Sequence, residues 1–360
     1  MMEINSYFFD LIKVAVERKE CLSGTPTADE WKEIYKLTKQ QTLLGVLFSA
    51  LQRLPKEQRP PKALILQWYA TTEVIKEQNK QVNADAVKIC NLVRKDGMRC
   101  LVLKGQGIAS YYPEPSFRQC GDIDLWIEGG SKKVIEYLRT KSEVRNIFYT
   151  HAEYDAPVGT EVEVHHHPSY LYNPLYLKRL NKYFSEQNEM FDNRIKLWDG
   201  SGEIFMPTVE FNRYYVLQHI YRHYFGEGIG LRQLMDFYYV LLQGGSTESK
   251  ERTLKLFERT GMSKFVGGAM WVLQNVFGME DKYLLCRPNA KAGKQLLDEV
   301  MIAGNFGKYD NRIDRSNHHK LIPRVCNYMK RNIKFLTEYP TEILFEIPMR
   351  TYMYLWKHFV

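Results

Sequence analysis

Residues 120–127, CGDIDLWI, place two acids one residue apart inside an otherwise apolar run. So short a run, preceded by the turn-rich loop PEPSFRQCG and followed by glycine, reads as a β-strand. A strand has a side-chain period of two, so Asp122 and Asp124 point to one face. Like charges side by side on a strand repel unless something cationic neutralises them. The chain must therefore fold so that a cation stands beside this strand.

The flanking texture limits where such a strand sits. Residues 1–95 read as helical: WKEIYKLTKQQTLLGVLFSALQRL spaces its apolar residues helically, and a longer amphipathic pattern follows the punctuating loop PKEQRPP. Trp31 and Trp68 read as core anchors. From Met98 the pattern changes. MRCLVLKG is a strand ending in glycine, GQGIASYY a short helix, DIDLWIEG the second strand, and SKKVIEYLRTK a helix with Ser131 as N-cap. RNIFYTHAEYDAP and GTEVEVHHHPSY read as two more strands joined by the turn DAPVGT. After Pro207 the pattern is helical again, through TVEFNRYYVLQHIYRHYF, GEGIG and LRQLMDFYYVLLQGG to the end. The expectation is an α+β fold: a helical region at 1–95, a small mixed sheet at 96–207 and a helical region at 208–360.

Composition excludes several classes. The net charge of +8, from 50 basic and 42 acidic residues, is not gathered into a tail; it permits an anionic ligand and does not favour nucleic acid. The six cysteines form no CxxC pair and no regular spacing, so they read as reduced thiols of a cytoplasmic protein. The N-terminus lacks the pattern of a signal peptide, and no uncharged apolar run is long enough to span a membrane.

Hard cations take oxygen ligands, and magnesium uses one or two carboxylates plus substrate phosphates. A D-x-D strand with a third acid from a neighbouring strand suits one or two such ions, which activate an attacking oxygen and stabilise a leaving pyrophosphate oxygen. In EVEVHHH, Glu161 and Glu163 share a face, and Glu163 is the favoured third ligand. LVLKGQG runs a strand into Lys104, Gly105 and Gly107 at a helix start, offering backbone N–H groups and a positive charge to a triphosphate. It is not a Walker A loop. Arg118 stands where it serves a phosphate or the carboxylate pair, or forms a plain loop salt bridge.

The series Lys-Gly, Tyr-Pro, Arg and D-I-D-L in LKGQGIASYYPEPSFRQCGDIDLWI resembles the bacterial uncharacterised nucleotidyltransferase family (type 5) of the DNA polymerase β-type superfamily. EVEVHHH and QHIYRHY…LRQLMDF resemble its later segments, so the resemblance spans roughly residues 25–245. It implies transfer of a nucleoside monophosphate from an NTP, with Mg2+ or Mn2+ held by Asp122, Asp124 and Glu163, to an acceptor that it does not name. Lys104 and Gly105 would match the nucleotide-binding helix start. Three departures stand out: the order Lys104-Gly105-Gln106-Gly107, the long interval from Gly105 to Asp122, and Glu in place of Asp as third acid. The competing reading is a catalytically idle relative that binds a nucleotide or a protein partner.

Residues 165–167 alternate faces on a strand, so at most His165 and His167 act together and the run is no zinc cluster. His219 and His223, one helical turn apart without the Glu of H-E-x-x-H, are expected to face the cleft and touch nucleotide or acceptor, or else to be core histidines. Arg232 and Asp236 are also one turn apart. They are expected nearest the cleft, or else as a helix-surface pair.

Overall fold

The computed structural model describes residues 2–312 and 333–360. Cys326 and the part of the expected C-terminal helical region at 313–332 lie outside the described residues.

Four helices come first: α1 (Met2–Ala15), α2 (Ala28–Gln40), α3 (Leu44–Arg53) and α4 (Lys62–Lys95). Thr27 and Glu30 form a reciprocal capping box that starts α2. The long pattern read as one run is split between α2 and α3, where Thr42 takes φ 57°. Gln41 gives the reason: its side chain donates to the Val300 carbonyl and accepts from the Leu231 N–H, at 3.1 and 2.8 Å. The break thus ties the N-terminal helices to a distant part of the chain. The 34-residue α4 buries Trp68, Thr72, Ile75, Asn79, Val82, Ala86, Ile89 and Val93, a stripe stepping by three and four residues. Trp68 is indeed a core anchor, its indole donating to the Leu44 carbonyl at 2.8 Å.

The sheet follows. Its strands are β1 (Cys100–Val102), β2 (Ile123–Ile127), β3 (Val144–Ile147), β4 (His151–Tyr154) and β5 (Val162–His165), in spatial order β1-β2-β5-β4-β3. Only β2 and β5 run parallel; the other pairs are antiparallel. Helices α5 (Gly105–Ala109) and α6 (Gly130–Arg139) flank β2 in sequence. Ile123, Leu125, Ile127, Val162 and Val164 share one apolar core with Val82, Ile89 and Val93 of α4 and with Val134 and Leu138 of α6. By the period of two, Asp124, Trp126, Glu163 and His165 occupy the opposite face.

Two details differ from the sequence reading. RNIFYTHAEYDAP is not one strand but two, β3 and β4, because the Phe148 N–H donates to the His151 carbonyl at 2.8 Å and closes a tight turn. Ser131 does not cap α6: Gly129, at φ 133°, is the N-cap residue, and the Ser131 hydroxyl faces His166 and His167 instead.

Beyond the sheet come α7 (Pro174–Ser185), the hairpin β6 (Arg194–Lys196) and β7 (Glu203–Phe205), and helices α8 (Val209–Gly226), α9 (Leu231–Leu242), α10 (Thr247–Arg259), α11 (Ser263–Phe277) and α12 (Ala290–Ala303). A last described helix spans Pro340–Trp356. The largest core joins Phe8, Trp31 and Leu47 of the first helices to Phe211, Phe237, Phe265 and Val300 of the later ones. Trp126, on the polar face of β2, packs against Phe184, Phe191 and Phe211, which brings α7 and α8 over that face. No described helix is long and apolar enough to cross a membrane.

Candidate active site

The parallel register sets Asp124 directly opposite Glu163 and Trp126 opposite His165. On the far side of β5, β4 sets Glu153 opposite Glu163 and His151 opposite His165. Asp122 stands one residue before β2, exposed at the mouth of this face. Asp122, Asp124 and Glu163 each offer a carboxylate oxygen, and the three oxygens lie within 4.8 Å of one another. Glu161 also precedes its strand; it is exposed, and its backbone carbonyl accepts the Ile123 N–H at 2.9 Å. Glu163, not Glu161, is the glutamate beside the aspartates.

Lys104 and His165 are the cations that the strand requires. Lys104 Nζ lies 2.9 Å from Asp124 Oδ2, and His165 Nε2 lies 2.9 Å from Asp124 Oδ1. Burial alone would raise the Asp124 carboxyl, but Lys104 and His165 outweigh it and hold the group well below the ordinary range. Glu163 is likewise held low despite burial, by His165 at 3.6 Å and His151 at 3.7 Å. Burial opposes the charge on His165, yet its bond to Asp124 and the nearby Glu163 carboxylate raise its pKa. For Asp122, the pull of Lys104 is outweighed. Repulsion from Asp124, then desolvation, push its carboxyl up to about 6.

Lys104 reaches this position from a strained backbone, φ 55° and ψ −139°, where β1 turns into α5. Such a conformation in a residue with a Cβ costs of order 1–3 kcal/mol. Its ammonium also lies 3.2 Å from His219 Nε2 on α8. Burial and the nearby Lys104 take His219 well below its usual pKa, so its neutral ring accepts that hydrogen bond. His223 lies one turn further, with ring centroids 4.3 Å apart, and burial takes it down to about 4. Its Nε2 accepts from Arg222 at 2.7 Å, and its Nδ1 lies 3.4 Å from Glu227. Gly105, at φ 44°, has open space where a Cβ would stand, whereas Gly107 is packed, a Cβ there meeting Met206 at 3.1 Å.

Of the alternatives for Arg118, the structure shows a salt bridge. This arginine is 4% exposed and grips Asp236 with two parallel bonds of 2.7 and 2.8 Å, while Tyr112 donates to the same carboxylate at 2.6 Å. The expected Arg232–Asp236 surface pair is therefore replaced. Asp236 is buried and takes the bidentate guanidinium that a buried carboxylate needs, and Arg232 donates to the Gln119 carbonyl at 2.6 Å. Asn79 of α4 donates to the carbonyls of Ser116 and Arg118 at 2.6 and 2.9 Å. Together these groups clamp the loop that delivers Asp122 to the mouth.

Of the histidine run, not even His165 and His167 share a face. Strand β5 ends at His165, so alternation stops there, and the next two N–H groups both donate to the Thr150 carbonyl at 3.0 and 3.1 Å. His167 stacks on Tyr149 instead. The histidine that does face His165 is His151, which sequence reasoning missed. Nothing local marks it; only the antiparallel register of β4 brings it there.

Residues 27–278 match the model of a family described as uncharacterised nucleotidyltransferase. No curated protein matches the chain. The chain is similar to the crystal structure of an antigenic nucleotidyltransferase-like protein from Paracoccidioides brasiliensis, with 12% identity, 59% of this chain and 96% of that chain covered, and a TM-score of 0.30.

Proposed function

The chain belongs to the uncharacterised nucleotidyltransferase family, and we propose that it transfers a nucleoside monophosphate from an NTP to an acceptor hydroxyl. The observation that carries this reading is the convergence of Asp122, Asp124 and Glu163 at the parallel β2–β5 register. The donor set suits a hard divalent cation. It is three carboxylates, and the negative charge at Asp122 is met by no protein cation strong enough to keep its carboxyl in the ordinary range. A Mg2+ or Mn2+ ion there would be held by Asp122, Asp124 and Glu163, and would supply charge neutralisation for the triphosphate and the leaving pyrophosphate.

The remaining chemistry belongs to the chain's own residues. Lys104 and His165 fix both oxygens of Asp124 and so its orientation. Glu163, ionised at neutral pH, takes the proton of the acceptor hydroxyl as that oxygen bonds to the α-phosphorus and the bond to pyrophosphate breaks. The Lys104 ammonium offers positive charge to the triphosphate, and the open space at Gly105 lets a phosphate approach the backbone. His219 and His223 line the α8 wall above Lys104. Arg118, Arg232 and Asp236 act at one remove, holding the loop before Asp122. In this scheme residues 96–207 carry the transfer, and the helical regions before and after them supply the walls.

The test is a screen of NTPs and hydroxyl acceptors with Mg2+ or Mn2+, followed by mass detection of a nucleotidyl adduct. An adduct formed by the wild type and lost in Asp124→Asn supports transfer. NTP binding with no adduct, unchanged in Asp124→Asn, identifies an idle nucleotide-binding relative instead.

A further inference from the structure

His151, Glu163 and His165 form a second group of potential ligands, their ligand atoms all within 4.8 Å of one another. The strand geometry builds it. His151 and His165 are direct cross-strand partners, and Glu163 lies two residues before His165 on the same face. We propose that these three residues bind a divalent transition-metal ion of the zinc class, two imidazoles and one carboxylate leaving an open position, beside the three-carboxylate site and sharing Glu163 with it.

Two observations carry the assignment. First, the His151 Nε2 and His165 Nε2 atoms stand 3.7 and 3.6 Å from Glu163 Oε2. Those gaps are long for direct hydrogen bonds. They are close to the ~3.4 Å that separates two ligands of a tetrahedral ion with bonds of about 2.0–2.2 Å. Second, the outer nitrogen of each ring is engaged. His165 Nδ1 faces the His167 carbonyl at 3.4 Å, and His151 Nδ1 faces the Thr150 hydroxyl at 3.1 Å. A proton donated outward from Nδ1 leaves Nε2 with a lone pair aimed inward, the arrangement in which an oxygen partner orients a metal-bound histidine. In the metal-free protein His165 Nε2 carries the proton that it donates to Asp124 Oδ1 at 2.9 Å, and metal entry releases that one proton to solvent.

The ligand set selects its ion. Imidazole nitrogen favours zinc and its transition-metal neighbours, whereas Mg2+ prefers an all-oxygen set. The site shares Glu163 with the proposed transfer centre, but its existence does not depend on nucleotidyl transfer. A zinc-class ion here takes two of its three ligands from residues outside the three-carboxylate group.

The experiment uses the full chain, stripped with chelator and titrated with Co2+ while visible absorption is followed, then with Zn2+ and Mg2+ as competitors. The wild type should develop a cobalt ligand-field spectrum at one equivalent, erased by Zn2+ and not by equimolar Mg2+. His151→Gln, checked for folding by circular dichroism, should bind Co2+ at least ~10-fold more weakly, since loss of even an indirect metal partner costs that much. Asp122→Asn, outside the imidazole set, should keep the spectrum. Should His151→Gln misfold, His151→Asn replaces it. An unchanged affinity and spectrum in the folded His151 variant, or displacement of Co2+ by equimolar Mg2+, overturns the proposal. Adduct formation is scored separately: a cobalt spectrum without transfer removes the transfer reading and leaves this site standing, and transfer without the spectrum does the reverse.

Discussion

Asp236→Ala tests whether the group around Arg118 holds the loop or serves the nucleotide. The substitution strips Arg118 of both bonds to Asp236 and leaves a guanidinium that is 4% exposed without its countercharge. Arg232 is close enough to repel it, which adds to the imbalance. Removing one partner of a buried pair costs about 3–5 kcal/mol, a large share of a typical stability of about 5–15 kcal/mol. The Tyr112 hydroxyl loses its charged acceptor as well. We expect about 4 kcal/mol of destabilisation in urea unfolding followed by circular dichroism. Replacing both partners, Arg118→Met with Asp236→Leu, should recover most of it, because an apolar pair leaves no orphaned charge. The pH dependence has a definite sign. Burial would raise the Asp236 carboxyl, but Arg118 lowers it. A depressed carboxylate contributes stability above its unfolded pKa of about 3.9 and loses it as pH falls through the folded value. The wild type should lose this contribution below about pH 4, and Asp236→Ala should have none to lose there. A variant within about 1 kcal/mol of the wild type but with weakened triphosphate binding would refute the clamp and return Asp236 to the nucleotide.

Three further outcomes follow from the packing and the charges. Gly45→Ala should destabilise by about 1–3 kcal/mol in the same unfolding assay, because a Cβ there would stand 2.3 Å from the Phe117 carbonyl oxygen and meets backbone that cannot swing aside. Glu342, 2% exposed, has its carboxyl pushed up to about 7 by burial. A raised acid favours folding below its unfolded value and loses that contribution as pH rises through the folded one. Glu342→Gln should therefore be the more stable protein above pH 7, by up to about 3 kcal/mol, with the difference vanishing near pH 4; equal stability at pH 8 would count against it. Lys104→Ala should weaken triphosphate binding more than Mn2+ binding, as calorimetry of each ligand would show; the reverse order would detach Lys104 from the phosphates.

What the sequence disclosed, and what it hid, divides along the distance between interacting residues. The D-x-D strand, the helix-sheet-helix order and the core tryptophans follow from local periodicity, which a single chain displays directly. The sequence favoured Glu163 over Glu161, but what sets Glu163 beside Asp124 is the register of β5 against β2, a non-local property. Arg118 and Asp236 are 118 residues apart, so no spacing rule joins them, while Arg232 and Asp236 looked like a pair merely because one turn separates them. His219 and His223 lie on α8, whose residues from Phe211 to Tyr221 are all buried, so no polar stripe distinguishes a site-facing histidine from a core one. The break between α2 and α3 was invisible for the same reason: Gln41 spends its side chain on Val300 and Leu231, far along the chain. Local chemistry pointed to the acids; tertiary register chose their companions.

The central claim is that Asp124 and Glu163 together hold a cation that recruits the triphosphate. The most direct measurement is Mn2+ binding by electron paramagnetic resonance, with and without a mixture of NTPs, in the wild type, Asp124→Asn and Glu163→Gln. The account predicts that NTP tightens Mn2+ binding in the wild type and that each substitution removes this coupling in a protein that remains folded. Equal NTP binding by all three proteins, with or without Mn2+, would contradict it.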